Sequence, residues 1–152
     1  MKKKRILAVA SIGGHWIQLL RITKPLEEFY EVVYLSTNSK CQSLVPENKF
    51  FYIQDFNRWS IWQAIPATIK ILFVLLFIRP KAVITTGAAP GLLTLIIARM
   101  FFINTIWIDS IANVKRLSSS GKIARKIAHK IYTQWPNLVD DKVKYAGNIF
   151  GD

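Results

Sequence analysis

The chain has 152 residues, 51% of them hydrophobic, with 21 Lys and Arg against 9 Asp and Glu and a formal net charge of +12. That length suits one domain, 1–152, with a sizeable core, and the apolar content excludes a disordered chain. Lone Cys41 permits no internal disulfide, which fits a reducing compartment.

A basic cluster, Lys2-Lys3-Lys4-Arg5, leads into an apolar strand pattern over 5–10. The apolar run stops at Ala10, too short for a signal peptide with a cleavage site. The turn Ser11-Ile12-Gly13-Gly14-His15 follows, opening an apolar-periodic helix over 15–28. Two glycines at a strand-to-helix turn leave bare N–H groups at a helix start, a site that suits phosphate. A histidine on its lip could face a phosphate or an acceptor hydroxyl, because imidazole titrates near neutral pH. The bland alternative is a helix-start histidine without chemistry.

A strand over 31–36, a loop with Asn38 and Pro46 and a strand over 49–53 come next. The helix expected over 59–78 ends in the unbroken apolar run 71–78, far short of the roughly 18–20 residues needed to span a bilayer. Gln63 and Lys70 share one narrow face and nearly everything else is apolar. This pattern predicts one face on the core and another in lipid or against a partner, with Trp59, Trp62, Phe73 and Phe77 as its contacts. Trp59 and Trp62 suit the headgroup level of a membrane. A wholly buried helix is the competing reading.

A strand over 82–86 runs into a second small-residue turn, Gly87-Ala88-Ala89-Pro90-Gly91, at the head of a helix over 90–101. This turn could admit a ligand to the backbone or serve close packing alone. A strand over 103–109 ends on Asp109-Ser110, where Asp109 is either functional or a helix cap. A helix over 119–129 and strands over 130–134 and 143–146 complete the pattern. From Asn113 to Lys130 there are six bases, Lys115, Arg116, Lys122, Arg125, Lys126 and Lys130, and no acid, so an anionic partner is expected. No aromatics interleave with them, which argues against single-strand nucleic acid. His129 reads as a surface residue.

Strand–helix alternation with apolar, β-branched strands predicts an α/β, Rossmann-like, doubly wound parallel sheet. Ligands of such sheets collect at the carboxyl ends of the strands, which puts Ser11–His15, Gly87–Gly91 and Asp109–Ser110 on one rim. The first turn lacks G-x-G-x-x-G, and the second strand ends Leu35-Ser36-Thr37-Asn38 without an acid, so NAD is disfavoured. The second turn lacks the P-loop lysine, no G-x-S-x-G exists, and two histidines with one cysteine make no zinc site. No cofactor or metal is expected.

Four stretches, S-I-G-G-H-W-I-Q-L-L at 11–20, T-T-G-A-A-P-G-L at 85–92, W-I-D-S-I-A-N-V-K-R-L-S-S-S-G-K at 107–122 and Y-T-Q-W-P-N-L at 132–138, together resemble one family. It is the membrane-associated subunit of split UDP-sugar glycosyltransferases. Members include the anchoring subunit of the dolichol-linked N-acetylglucosaminyltransferase and bacterial counterparts in capsule and exopolysaccharide synthesis. The resemblance implies the N-terminal half of a GT-B glycosyltransferase, paired as a heterodimer with a UDP-sugar-binding subunit equivalent to the C-terminal half. It implies an inverting transfer from a UDP-sugar to a polyprenyl-pyrophosphate saccharide, with His15 or Asp109 as base. Ser11, Gly13, Gly14, Gly87, Ala88, Ala89 and Ser110 would hold phosphate or substrate. The family's bacterial pattern often has glutamate where Asp109 stands. Its eukaryotic subunits carry an N-terminal transmembrane helix absent from this sequence. Anchoring at the cytoplasmic face, peripheral or monotopic, is therefore expected from helix 59–78, from Lys115, Arg116, Lys122, Arg125 and Lys126, or from the partner. Little activity is expected from the chain alone. The alternatives are a non-catalytic scaffold that recruits the partner and, less favoured, a basic nucleic-acid-binding domain.

Overall fold

The structure, a computed structural model, describes residues 2–57 and 59–151. Seven strands form one sheet: β1 (Arg5–Ala10), β2 (Glu31–Ser36), β3 (Phe50–Tyr52), β4 (Ala82–Thr85), β5 (Asn104–Ile108), β6 (Lys130–Thr133) and β7 (Val143–Tyr145). They lie in the order β3-β2-β1-β4-β5-β6-β7, and every pairing is parallel. The helices are α1 (Gly14–Thr23), α2 (Ile61–Ile78), α3 (Ala88–Met100) and α4 (Ser119–Ile127). The doubly wound α/β expectation is met.

Side chains of β1 alternate between two cores, as a strand buried on both faces requires. Leu7 and Val9 join Val33, Leu35 and Val83 beneath Ala67, Ile71, Val74 and Ile78 of α2 and Ile97 and Ala98 of α3. Ile6, Ala8 and Ala10 join Val32, Tyr34 and Ile84 beneath Trp16 and Leu19 of α1. A third cluster sets α3 and α4 over Trp107, Ile131 and Val143. The strand order reverses between β1 and β4, and α1 and α3 leave the carboxyl ends of those two strands. That crevice is where open parallel sheets bind ligands.

Several element ends differ from the sequence reading. The first helix is α-helical only to Thr23 and tightens into a 3-10 turn over Lys24–Glu28, because Pro25 cannot donate to the ladder. The loop after β2 holds a 3-10 helix, Ser39–Leu44, capped by Asn38, whose side chain accepts from the Lys40 N–H at 2.9 Å. Helix α3 begins at Ala88, ahead of Pro90, with Gly87 as its N-cap. Helix α4 stops at Ile127, which leaves His129 outside it. There the His129 Nδ1 accepts from the Thr105 N–H at 3.1 Å, and Nε2 meets Arg99. Burial first and Arg99 second lower its pKa, and its own N–H donates to the Thr105 hydroxyl at 3.1 Å, so the residue ties the end of α4 to β5.

Helix α2 settles the question of burial. Its 18 residues have a mean hydropathy of 2.0, long and apolar enough to cross a membrane by composition, yet 28% of them are buried. One stripe packs on the sheet, while Ile61, Trp62, Ile65, Ile69, Phe73, Leu76 and Phe77 are exposed, with Trp59 just ahead of them. The wholly buried reading is excluded. A large apolar face thus stays exposed on a helix fastened to its own core.

Candidate functional site

Both helices at the crevice begin on a glycine with a backbone only glycine adopts readily. Gly13 has φ 97° and ψ −142°, and Gly87 has φ 133° and ψ −167°. Neither helix has a side-chain cap or an acid in its first turn. Their first N–H groups therefore face the crevice unpaired by side chains, and two positive helix ends converge there. Ala88 adds a third left-handed residue, at φ 64°. The Ile12 N–H is taken by the Thr37 hydroxyl at 3.3 Å and the Gly87 N–H by the Thr85 hydroxyl at 3.3 Å, so neither is open to a ligand.

His15 bridges the two turns. Its Nδ1 lies 2.9 Å from the Thr86 carbonyl oxygen, which can only accept, so Nδ1 carries the proton and donates. The Thr86 hydroxyl returns a bond to the His15 carbonyl at 2.7 Å. This pair fixes the tautomer and leaves Nε2 as the proton acceptor in the neutral ring. The ring lies against Gly87, where an added Cβ would stand 2.8 Å from Cε1 and 2.9 Å from Nδ1. Gly87 thus has two jobs: the backbone turn and the seat of the imidazole. Gly91 serves packing instead, since a Cβ there would collide with the Thr85 hydroxyl.

Asp109 lies at the carboxyl end of β5, on the expected rim, with 1% of its surface exposed. Its carboxylate accepts from the Trp107 indole at 3.0 Å, the Asn113 amide at 3.0 Å, the Ser118 N–H at 3.0 Å and the Ser118 hydroxyl at 2.7 Å. Four donors on two buried oxygens leave little room for a substrate. A Cβ at Gly121 would sit 2.5 Å from Oδ1, so the glycine keeps space for the carboxylate. The Asp109 carbonyl accepts from Gln18 at 3.3 Å and Gln134 at 3.0 Å, while the Ile111 N–H donates to Gln18 at 3.2 Å. The whole 109–118 loop is strapped to the sheet, with Ser110 half-buried within it.

Lys115, Arg116, Lys122 and Lys126 are exposed. Arg125 is withdrawn from that set. It pairs with Asp140 at 2.9 Å and Asp141 at 2.7 Å, acids distant in sequence that folding brings beside it. Asp140 is held well below the usual carboxylate range by the Val143 and Lys142 N–H groups and then by Arg125. No cluster of three or more His, Cys, Asp or Glu that could hold a metal occurs among the described residues.

Sequence reasoning missed two clefts on this rim. One, about 380 Å³, opens at the ends of β6 and β7 between Arg21, Tyr132, Gln134, Gly147 and Ile149. The other, about 310 Å³, lies between the start of α1 and the 3-10 helix after β2. Neither has a linear motif, because each is walled by segments distant in sequence.

The sequence signature of a family described as "Oligosaccharide biosynthesis protein Alg14 like" matches residues 6–149. No protein of curated function matches the chain. Among solved structures it is similar to Acinetobacter baumannii MurG, at 16% identity and a TM-score of 0.80, covering 95% of this chain and 46% of that one. It is also similar to the UDP-GlcNAc 2-epimerase from Neisseria meningitidis bound to UDP-GlcNAc, at 15% identity and a TM-score of 0.70, covering 95% and 46%. The S. aureus MnaA–UDP co-structure aligns at 16% identity and a TM-score of 0.72, over 96% and 44%. The chain spans less than half the length of each of these proteins, and identities this low establish the shared fold alone.

Proposed function

The chain belongs to the Alg14-like family of oligosaccharide biosynthesis proteins, and on that premise we propose that it is the acceptor-side subunit of a two-component, inverting glycosyltransferase. The donor is a UDP-sugar held mainly by a partner polypeptide equivalent to the C-terminal half of a GT-B enzyme. The acceptor is a polyprenyl-pyrophosphate saccharide, of the kind built in lipid-linked oligosaccharide, capsule or exopolysaccharide synthesis. The observation that carries this reading is the crevice itself: two uncapped helix ends with glycine turns, and one histidine that joins them through its Nδ1 bond to the Thr86 carbonyl.

In the proposed reaction the acceptor hydroxyl oxygen attacks the anomeric carbon of the donor sugar. The bond from that carbon to the phosphate oxygen breaks, and UDP leaves with its electron pair. The hydroxyl proton passes to His15 Nε2. N–H groups at Gly13–Gly14 and Ala88–Ala89 stabilise phosphate charge, as fixed donors do in a water-poor site, while the Gly87 N–H is held by the Thr85 hydroxyl. Ser11 lies at the same turn. Asp109, saturated with internal donors, is assigned a positioning role: it holds the loop that carries Ser110 and the basic residues Lys115 and Arg116 at the rim.

Helix α2 supplies membrane attachment in this reading. Because its inner stripe is part of the sheet's core, it lies in the plane of the interface, with Phe73 and Phe77 in the lipid and Trp59 and Trp62 at headgroup depth. The test is transfer of labelled sugar from UDP-sugars to membrane lipid, with and without the partner. Product that needs both chains supports the proposal; product from the partner alone at the same rate removes it.

A further inference from the structure

The smaller cleft on the rim has a composition that anion binding does not require. It is walled by Ile12, Gly13, Trp16 and Ile17 from the start of α1 and by Lys40 and Leu44 from the 3-10 helix after β2. Gly13, Trp16 and Ile17 are spaced i, i+3, i+4 and so share one face of the helix. On the facing 3-10 turn, Lys40 with Ser43 and Cys41 with Leu44 are spaced i, i+3 and line it in pairs. Three aliphatic side chains, Ile12 at 48%, Ile17 at 48% and Leu44 at 49% exposure, stand open to solvent around it. At about 310 Å³ the cleft falls at the lower end of ligand-pocket volumes, roughly 300–1,000 Å³.

A second observation is independent of shape. Trp16, 2% exposed, lines this cleft, and its Nε1 is the one buried side-chain polar atom among the described residues without a hydrogen-bond partner. Its ring is held edge-on by Tyr34 and Phe50. A buried indole N–H ordinarily finds an acceptor; this one is closed to solvent, so the ring meets the cleft as an apolar wall held by aromatic packing alone. No acid lines the cleft, Lys40 is exposed at its lip, and its wall includes Gly13 of the anion-binding turn. The occupant therefore has an apolar body joined directly to an anionic, oxygen-rich head.

We propose that this cleft is a subsite for the isoprene units nearest the pyrophosphate of a polyprenyl-pyrophosphate acceptor, with the Trp16 ring as its floor and Lys40 meeting phosphate oxygens at its mouth. The assignment rests on the acceptor class proposed above and adds where the lipid begins its path. The chain would leave the protein at the carboxyl end of the sheet, the end at which Trp59 and Trp62 stand.

The test uses the full chain, with farnesyl pyrophosphate and inorganic pyrophosphate as probes and the indole N–H resonances as readout, Trp16 being assigned by Trp16→Phe. Farnesyl pyrophosphate binds at least tenfold more tightly than pyrophosphate and shifts the Trp16 indole. Ile17→Asn and Leu44→Asn, uncharged changes at half-exposed positions that leave the core intact, remove that tenfold advantage without weakening pyrophosphate. Equal affinity for the two probes overturns the proposal, as does an isoprenoid advantage untouched by both variants. Should the groove bind as stated while no sugar transfer occurs with the partner, the subsite stands and the transferase reading fails. Should transfer occur while binding ignores the isoprenoid, the subsite alone falls.

Discussion

Replacing Gly87 with alanine perturbs the crevice at the point where backbone and histidine meet. The new Cβ would sit 2.8–2.9 Å from the His15 ring, at a backbone φ of 133° that a side chain rarely adopts. Backbone strain there costs about 1–3 kcal/mol, and the overpacked contact adds about 1–3 kcal/mol more. Gly13→Ala provides a matched control, because Gly13 is also a helix N-cap at φ 97° with nothing within 4 Å of an added Cβ. Strain alone acts at Gly13, so the difference between the two variants isolates the histidine contact. With Tm shifting roughly 2–4 °C per kcal/mol in a domain of this size, Gly87→Ala is expected to melt several degrees below Gly13→Ala. Displacing the ring also breaks the Nδ1–Thr86 bond, which a nitrogen-15 spectrum of His15 reads as a loss of tautomer preference. Equal melting temperatures for the two variants, with an unchanged His15 spectrum, would refute the claim that Gly87 seats the imidazole.

Asp109→Ala leaves four donors without their acceptor and is expected to cost about 3–5 kcal/mol, measured by urea unfolding. Asp109→Asn keeps the shape and part of the bonding and should cost clearly less; equal losses would contradict the network. On α2, Trp62→Asp with Phe73→Asp should abolish sedimentation with anionic vesicles while leaving the melting temperature within about 2–4 °C, since each exposed substitution usually changes stability by under about 0.5 kcal/mol. Asp140 has a folded pKa below its unfolded value near 3.8, so its contribution is complete above that value and fades as pH falls through the folded pKa. Asp140→Asn is therefore expected to lower stability at neutral pH and to flatten the acid limb of the stability–pH curve; a parallel curve would show that the carboxylate is not the group titrating.

The strands were legible because β-branched apolar runs bounded by glycine and proline have few other homes, and β1 and β2 match their expected bounds residue for residue. The glycine turns were legible as helix starts too. The role of Gly87 as a seat for His15 was not, since the contact joins turns 72 residues apart in the chain (87 − 15) and no local pattern encodes it. Asp109 shows the opposite failure. Its place at a strand end was readable, but its partners Asn113 and Ser118 reach it only once the loop folds back. Arg125 stood in a run without acids and still lost its free charge, because β7 brings Asp140 and Asp141 beside it. For α2, composition announced an apolar helix, and only packing showed which of its faces the sheet covers.

The central claim is that this chain supplies the base at a site shared with a partner. The direct measurement is turnover of a UDP-sugar onto a polyprenyl-pyrophosphate saccharide by the reconstituted pair, comparing the native chain with His15→Ala at equal partner and vesicle binding. A positioned base is worth about 10²–10⁴-fold, so turnover is expected to fall by that factor while recruitment is unchanged. Near-native turnover from His15→Ala would contradict the account and leave this chain as a membrane scaffold for its partner.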